Sequence, residues 1–245
     1  ISWSQSLDRR YARRELITFE PASVRQGLYR PFTRESAYVD KTLVHSTYRL
    51  AAVFPTANHL NLGIVSVQSG ARAPFTALMT DLMPDSKLYV DDALMYPRWT
   101  YQNAPEGEHS SLLAAAASDF DGGDDVDEWG YRRVDNITDG ILALYREKFG
   151  VQVSKDDVFY YVYGVLHSEQ YRTTFAADLK RMLPRIPLAA TSADFFAFVD
   201  AGRRLADLHV NYESVEPYPL HEQSVAGLGD WVAYRVEKMR WADKT

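Results

Sequence analysis

The 245-residue chain contains no cysteine. That absence excludes disulfides, thiolate zinc sites, iron–sulfur clusters and cysteine nucleophiles together. Long apolar runs are missing as well, and the Leu112–Ala117 run is far too short to cross a bilayer. No basic-then-apolar leader opens the sequence, so a reducing, cytoplasmic setting is expected. Several ligand-binding signatures are also lacking. There is no Gly- and Lys-bearing loop with the spacing that cradles phosphates, no Gly-x-Gly-x-x-Gly and no Gly-x-Ser-x-Gly. Nor does the chain hold an Asn-Pro-Pro-aromatic or Asp-Pro-Pro-aromatic tetrapeptide, the catalytic loop of adenine amino-methyltransferases.

What is present is a chain of 27.9 kDa, 46% hydrophobic and 24% charged, enough for one large domain or two small lobes. The net charge of −6 is unevenly spread: residues 1–50 carry +4, residues 51–130 carry −9 and residues 131–245 carry −1. A free-standing DNA binder is ordinarily basic, so the total argues against that role. The basic first segment could still attract an anion, and surface charge that serves only solubility is the plainer alternative. The chain opens at Ile1 and stops just past Trp231–Trp241, a stretch that reads as strand. A piece of a longer protein is therefore expected.

The apolar pattern predicts an α+β fold with a mostly β N-terminal lobe, a mainly helical lobe and a final strand. Residues 2–16 read as a helix with Arg9, Arg10, Arg13 and Arg14 as its charges. Leu28–Phe32 and Ala37–Asp40 flank a polar tetrad, Thr33–Ser36, which predicts a hairpin turn. Asn61–Gln68, Phe75–Met83 and Lys87–Met95 are further strands, completing a β lobe over 1–101. The Asp/Glu- and Gly-rich stretch 102–130 reads as a long exposed loop, with one helical turn at Leu112–Ala117. From 131 to 245 the period changes to about 3.6. Asp139–Phe149 is one helix; Ser154 caps a second through Leu166. Ser168 caps a third, with Tyr171, Phe175, Leu179 and Leu183 on one face until Pro184 ends it. Ser192 caps a fourth through His209.

Catalytic chemistry is thinly supported. His167 and Glu169 lie two apart at a helix junction, where His167 near a helix C-terminus is better explained by the partial negative charge there, so no metal site is expected. His45, His59, His109 and His221 stand singly in polar contexts. Asp81…Asp85-Ser86-Lys87 echoes the acid-acid-lysine core of metal-dependent nucleases. The spacing with Pro84 in between reads instead as a turn joining two strands. The 16 Tyr could stack on bases, but Phe159, Tyr160, Tyr161 and Tyr163 crowd one helix at packing distance.

One stretch is far more specific. Residues 158–188 carry Tyr161, Tyr163, Leu166, His167 and Ser168, then Tyr171 and Arg172, then Leu179, Lys180 and Arg181, then Pro184, Arg185, Ile186 and Pro187. This run closely resembles the C-terminal specificity domain of Type ISP restriction–modification enzymes. Leu28–Phe32 followed by Tyr38–Lys41, Asn61–Gly63, Phe75–Asp81, Arg133–Asn136 and Arg235–Arg240 resemble other segments of that family in order, so the likeness runs along nearly the whole chain. The acidic stretch 102–130 is not placed by the resemblance.

The resemblance implies a non-catalytic target-recognition domain that binds duplex DNA within a longer polypeptide of nuclease, helicase-like motor and adenine-N6 methyltransferase. S-adenosylmethionine, ATP and Mg²⁺ would then belong to those other domains, and no membrane is a partner. Candidate DNA contacts are Arg30, Arg34 and Lys41 around the hairpin, and Gln68, Ser69 and Arg72 after the Asn61 strand, because Arg and Gln on loops reach base edges bidentately. Arg9, Arg10, Arg13 and Arg14 are phosphate candidates, or else a solvated helix face or a seam to the methyltransferase. The Leu-His-Ser and Pro-Arg-Ile-Pro stretch reads as scaffold. Two alternatives stay open: a domain that docks on the methyltransferase or motor without touching DNA, and a metal-dependent nuclease.

Overall fold

The computed structural model describes residues 5–16, 18–40, 43, 49–104, 122–219, 229–233 and 235. The chain divides into two compact units, Ile1–Glu213 and Ser214–Thr245. The first opens with α1 (Gln5–Ala12) and the hairpin β1 (Val24–Arg30) and β2 (Thr33–Tyr38). Its turn is Pro31-Phe32, not the polar tetrad, which lies inside β2. Pro31 favours the start of a tight turn, and Phe32 follows at φ 58°. β2 is exposed along its first four residues, so it has no need of apolar alternation.

A short helix, α2 (Leu50–Val53), precedes β3 (Gly63–Val67), β4 (Ala77–Thr80), β5 (Met83–Pro84) and β6 (Ala93–Pro97). The expected strand from Lys87 starts only at Ala93. Asp85 takes the Lys87 N–H at 2.7 Å and Val90 sits at φ 73°, which makes 85–92 a turn. β7 (Trp99–Asn103), β8 (Gly122–Val126) and β9 (Tyr131–Asp135) follow. The two ends of the acidic stretch are thus strands, both paired antiparallel with β9, and its Leu112–Ala117 turn lies outside the described residues.

Among the described residues the strands form three three-stranded sheets, in the orders β2-β1-β5, β4-β3-β6 and β7-β9-β8. β3 is buried along its whole length and separates two cores. Its period-two alternation decides which residue faces which: Ile64 joins the helices together with Ala77 and Met79 of β4, whereas Val65 joins Leu28, Leu78 and Leu88 beneath β1. β3 and β4 therefore share the first of these cores with the helices.

The helices are α3 (Asp139–Phe149), α4 (Lys155–His167), α5 (Glu169–Thr174), α6 (Ala176–Leu179) and α7 (Ser192–Val210). Ser154 caps α4 as its sequence predicts, with Asp157 completing a capping box. Burial pushes the Asp157 carboxyl up, but hydrogen bonds from Ser154 and from Arg203 hold it below its ordinary value. The cap of α7 is Thr191, one residue ahead of the Ser192 expected, and it accepts from Asp194 N at 3.1 Å. The single helix expected after Ser168 is broken at Phe175, which leaves the helical region at ψ 19°. Thr173-Thr174-Phe175 is a run of poor helix formers. Tyr171 and Leu179 are buried, and Phe175 and Leu183 are exposed.

α4 and α7 cross at Gly164 and Gly202. A Cβ on Gly202 would meet the backbone of Tyr160 and Gly164, and one on Gly164 the backbone of Phe198. Around this crossing Phe149 stacks on Phe195 at 4.5 Å, with Tyr145 and Tyr161 against the same ring. Burial accordingly raises the Tyr145 hydroxyl to about 12. Arg98, after β6, pairs with Asp135 of β9 and with Asp156 of α4 at 2.7 Å. Lys155 lies 2.6 Å from Asp139 on α3, so charged groups tie the third sheet to the helices.

In the second unit, residues 215–219 are exposed and without regular structure, and α8 (Asp230–Ala233) is a single helical turn. Within the expected strand Trp231–Trp241, the described part is therefore helical. Gly229 accepts the Val232 N–H locally at 2.9 Å, which satisfies a group that a strand would have had to pair with a neighbour. The rest of that stretch apart from Arg235 lies outside the described residues. Among the described residues no helix is long and apolar enough to cross a membrane.

Candidate nucleic-acid interface

The candidate residues fall into three groups on the structure. On the hairpin, Arg30 closes β1 with its guanidinium 4.0 Å over the Tyr29 ring and 3.4 Å from Asp85. Arg34 of β2 reaches away from the turn. Its guanidinium donates to Val210 O at 3.0 Å, lies 3.4 Å from Glu213 and covers the Tyr212 ring. The turn residue Phe32 meets the rings of His209 and Tyr212 edge-on at 5.4 and 5.2 Å. These contacts hold Phe32 in a left-handed conformation that non-glycine residues rarely adopt. They also assign Arg34 to anchoring the hairpin on the end of α7. Lys41 lies outside the described residues.

The second group, Gln68, Ser69 and Arg72, sits on the loop from β3 to β4. Val67 N bonds Thr76 O at 3.1 Å across its base, and Gln68 N bonds Asp92 O at 2.8 Å. Gly70 adopts φ 84° and donates to Lys180 O at 2.8 Å. The loop is held by its backbone, which leaves Gln68 exposed and the Arg72 side chain 87% exposed. Arg72 meets Asp91 only at 3.4 Å. Asp91 also accepts the N–H groups of Ala73 and Arg72, and the Ala73 bond first of all keeps its carboxyl below the ordinary value against the effect of burial. Arg30 and Arg72 are thus each faced by a carboxylate of the β5–β6 connection. The Asp81…Lys87 stretch runs from the β4–β5 turn through β5 into this connection, where Lys87 lies 2.6 Å from Asp92.

The third group is on and after α1. Arg10 and Arg13 share Glu15 at 3.0 and 3.8 Å, and Arg9 and Arg14 are exposed. Among the described residues no side-chain hydrogen bond or ion pair joins these arginines to the other two groups.

Burial perturbs His167 and His209, whose rings lie 5.7 Å apart. Met79 N donates to the Tyr163 hydroxyl at 2.9 Å, which leaves the hydroxyl proton for His209 Nδ1. Burial holds His209 below its ordinary value, consistent with an imidazole that accepts. His167 packs against Tyr163 and His209, with Nε2 buried and, among the described residues, without a hydrogen-bond partner. Burial, with His209 and Arg172 as neighbouring charges, lowers its pKa to about 4. The helix-end reading favours a charged imidazole; desolvation outweighs it here.

A further group of basic residues is exposed. Lys180, Arg181 and Arg185, assigned to scaffold, are exposed, and the hydrogen bond from Gly70 places Lys180 beside the β3–β4 loop. Their signal was legible: residues 179–193 contain no acid.

This is an α+β domain that carries polar loops on a shared core. Over residues 1–245 it matches the family described as the Type ISP C-terminal specificity domain, and the chain belongs to that family. Solved structures similar to it include these three. The ATP-dependent Type ISP restriction-modification enzyme LlaBIII bound to DNA matches with TM-score 0.70 and 27% identity, over 91% of this chain and 13% of that one. A nuclease-deletion mutant of the Type ISP enzyme LlaGI, in complex with a DNA substrate mimic, matches with TM-score 0.65 and 34% identity, over 89% and 16%. A DrdV–DNA complex solved by cryo-EM matches with TM-score 0.76 and 28% identity, over 94% and 20%. This chain thus spans 13–20% of the length of those chains. No curated protein matches it.

Proposed function

We propose that this chain is the DNA target-recognition domain of a restriction–modification polypeptide, reading duplex sequence and doing no chemistry itself. The observation that carries the reading is the family match over the whole chain, together with neighbours described as bound to DNA. Base readout falls to Gln68 and Arg72, exposed side chains on a loop whose backbone is fixed, with Ser69 beside them. Arg30 exchanges its long contact to Asp85 for a phosphate, and Arg9, Arg10, Arg13 and Arg14 add general attraction. Arg34 supports the hairpin rather than the code, and Lys41 stays a candidate DNA contact. S-adenosylmethionine, ATP and Mg²⁺ serve methyltransferase, motor and nuclease domains elsewhere in the polypeptide.

The net charge of −6 supports a second reading, in which the domain docks on its methyltransferase without touching DNA. Titration of labelled duplexes separates the two. Gln68→Ala and Arg72→Ala are expected to flatten the difference between preferred and random duplexes, by about 1–3 kcal/mol per lost bidentate contact. Full discrimination by both variants sinks the residue assignment, and a chain that joins the methyltransferase but shifts no duplex favours docking.

A further inference from the structure

We infer that Lys180, Arg181 and Arg185 form a phosphate-gripping ridge that seats the DNA backbone beside the β3–β4 loop; this rests on the target-recognition reading above. The ridge lies in the stretch 179–193, which contains no acidic residue in a chain of net charge −6. Most other arginines and lysines at the candidate interface face a carboxylate: Arg10, Arg13, Arg30, Arg34, Arg72 and Lys87 each lie within 4 Å of one. Lys180, Arg181 and Arg185 are exposed and have no side-chain hydrogen bond or ion pair among the described residues.

The main chain beneath them is fixed. Tyr171 Oη donates to Arg185 O at 2.9 Å, Tyr161 Oη donates to Pro187 O at 2.7 Å, and Gly70 N donates to Lys180 O at 2.8 Å. Pro184 and Pro187 keep the segment from turning helical. Carbonyls are satisfied inward while cationic side chains are left to solvent, so little further ordering of the backbone is needed on binding. The Gly70–Lys180 bond joins this ridge to the loop carrying Gln68 and Arg72, which sets charge-neutralising groups next to base-reading ones. That division of labour is the general one at protein–DNA interfaces, where phosphate contacts give register and affinity without sequence information.

The test uses the whole chain with Lys180→Gln, Arg181→Gln and Arg185→Gln, singly and together, titrated against a panel of duplexes over a range of salt. None of these side chains has a partner to lose, so the thermal midpoint is expected to stay at the parent value. Each single variant should reduce the slope of log K against log salt by about 0.9, and the triple variant by about 2.7. Affinity at 0.1 M salt should fall on the order of a hundredfold, equally for every duplex. An unchanged slope in the folded triple variant overturns the ridge, as does a loss confined to the preferred sequence, which would make these residues readers of bases. An unchanged slope with lost attachment to the methyltransferase would assign the ridge to an acidic protein surface. No binding of any duplex by the parent chain at low salt would instead overturn the target-recognition reading beneath it.

Discussion

Gly202→Ala puts the packing account at risk because two principles give it opposite signs. Helix propensity alone says that alanine inside α7 stabilises by about 1 kcal/mol. The structure says otherwise. A Cβ there would lie 3.0 Å from the carbonyl carbon of Tyr160 and 3.1 Å from Gly164 N, and nearer still to the Tyr160 oxygen. These are backbone atoms, so no rotamer relieves them and the helices must part. A radial gap of about 0.5–1 Å forfeits a quarter to a half of the attraction at each contact it opens. The contacts affected lie beneath Phe195, Val199 and Ala206, all buried. Overpacking of this kind costs about 1–3 kcal/mol in general, and two facing backbones put this site at the upper end. After the propensity gain, a net loss of about 2 kcal/mol is expected. Urea unfolding followed by circular dichroism reads it as a lower midpoint at unchanged m. Gly140→Ala is the control: its Cβ meets nothing nearer than Thr138 Oγ1 at 4.0 Å, so a gain of up to about 1 kcal/mol is expected. If Gly202→Ala stabilised as Gly140→Ala does, the close crossing of α4 and α7 would be refuted.

Two further outcomes follow from the electrostatics. His167 titrates at about 4 in the fold and near 6.5 when unfolded, and His209 is lowered as well. The unfolded chain therefore binds protons first, so stability is full above about pH 6.5 and is lost as pH falls towards 4. His167 alone accounts for about 2–3 kcal/mol of that loss. His167→Leu should flatten the urea midpoint over this window, and a slope as steep as the parent's would refute the assignment. Asp85→Asn retains an acceptor for the Lys87 N–H but removes the charge facing Arg30. It is expected to tighten duplex binding about threefold at low salt, an effect that should fade as salt rises; equal binding by parent and variant would show that Arg30 makes no phosphate contact.

Much of the fold was legible because local chemistry decided it. Ser154, with Asp157 three residues on, fixed the start of α4, and the apolar spacing of 139–149 gave α3 its full length. The errors came where tertiary contacts outvoted pattern. Phe32 takes a strained turn conformation because His209 and Tyr212, far away in sequence, receive its ring. The helix after Ser168 breaks at Phe175 rather than continuing to Leu183, and the segment beyond it is pinned by Tyr171 and Tyr161. The single interior shared by β3, β4, α4 and α7 was hidden for the same reason: Met79 and Tyr163 are separated by 84 residues. At the candidate interface, the loop position of Gln68 and Arg72 was accessible to sequence reasoning because polar side chains after a strand are a local signal. The contact of Arg34 with Val210 was not, since the two lie 176 positions apart. Lys180, Arg181 and Arg185 were visible as charge but were absorbed into a motif read as scaffold. Fixed backbone and free side chains turn out to occupy the same residues.

The central claim is that this chain selects a DNA sequence. The most direct measurement incubates it at low salt with duplexes of random core, recovers the bound fraction and sequences it. Sequence-specific recognition predicts enrichment of one asymmetric motif, sharpened as salt rises and non-specific binding weakens. A bound fraction with the same composition as the input, or no bound fraction at all, would contradict it.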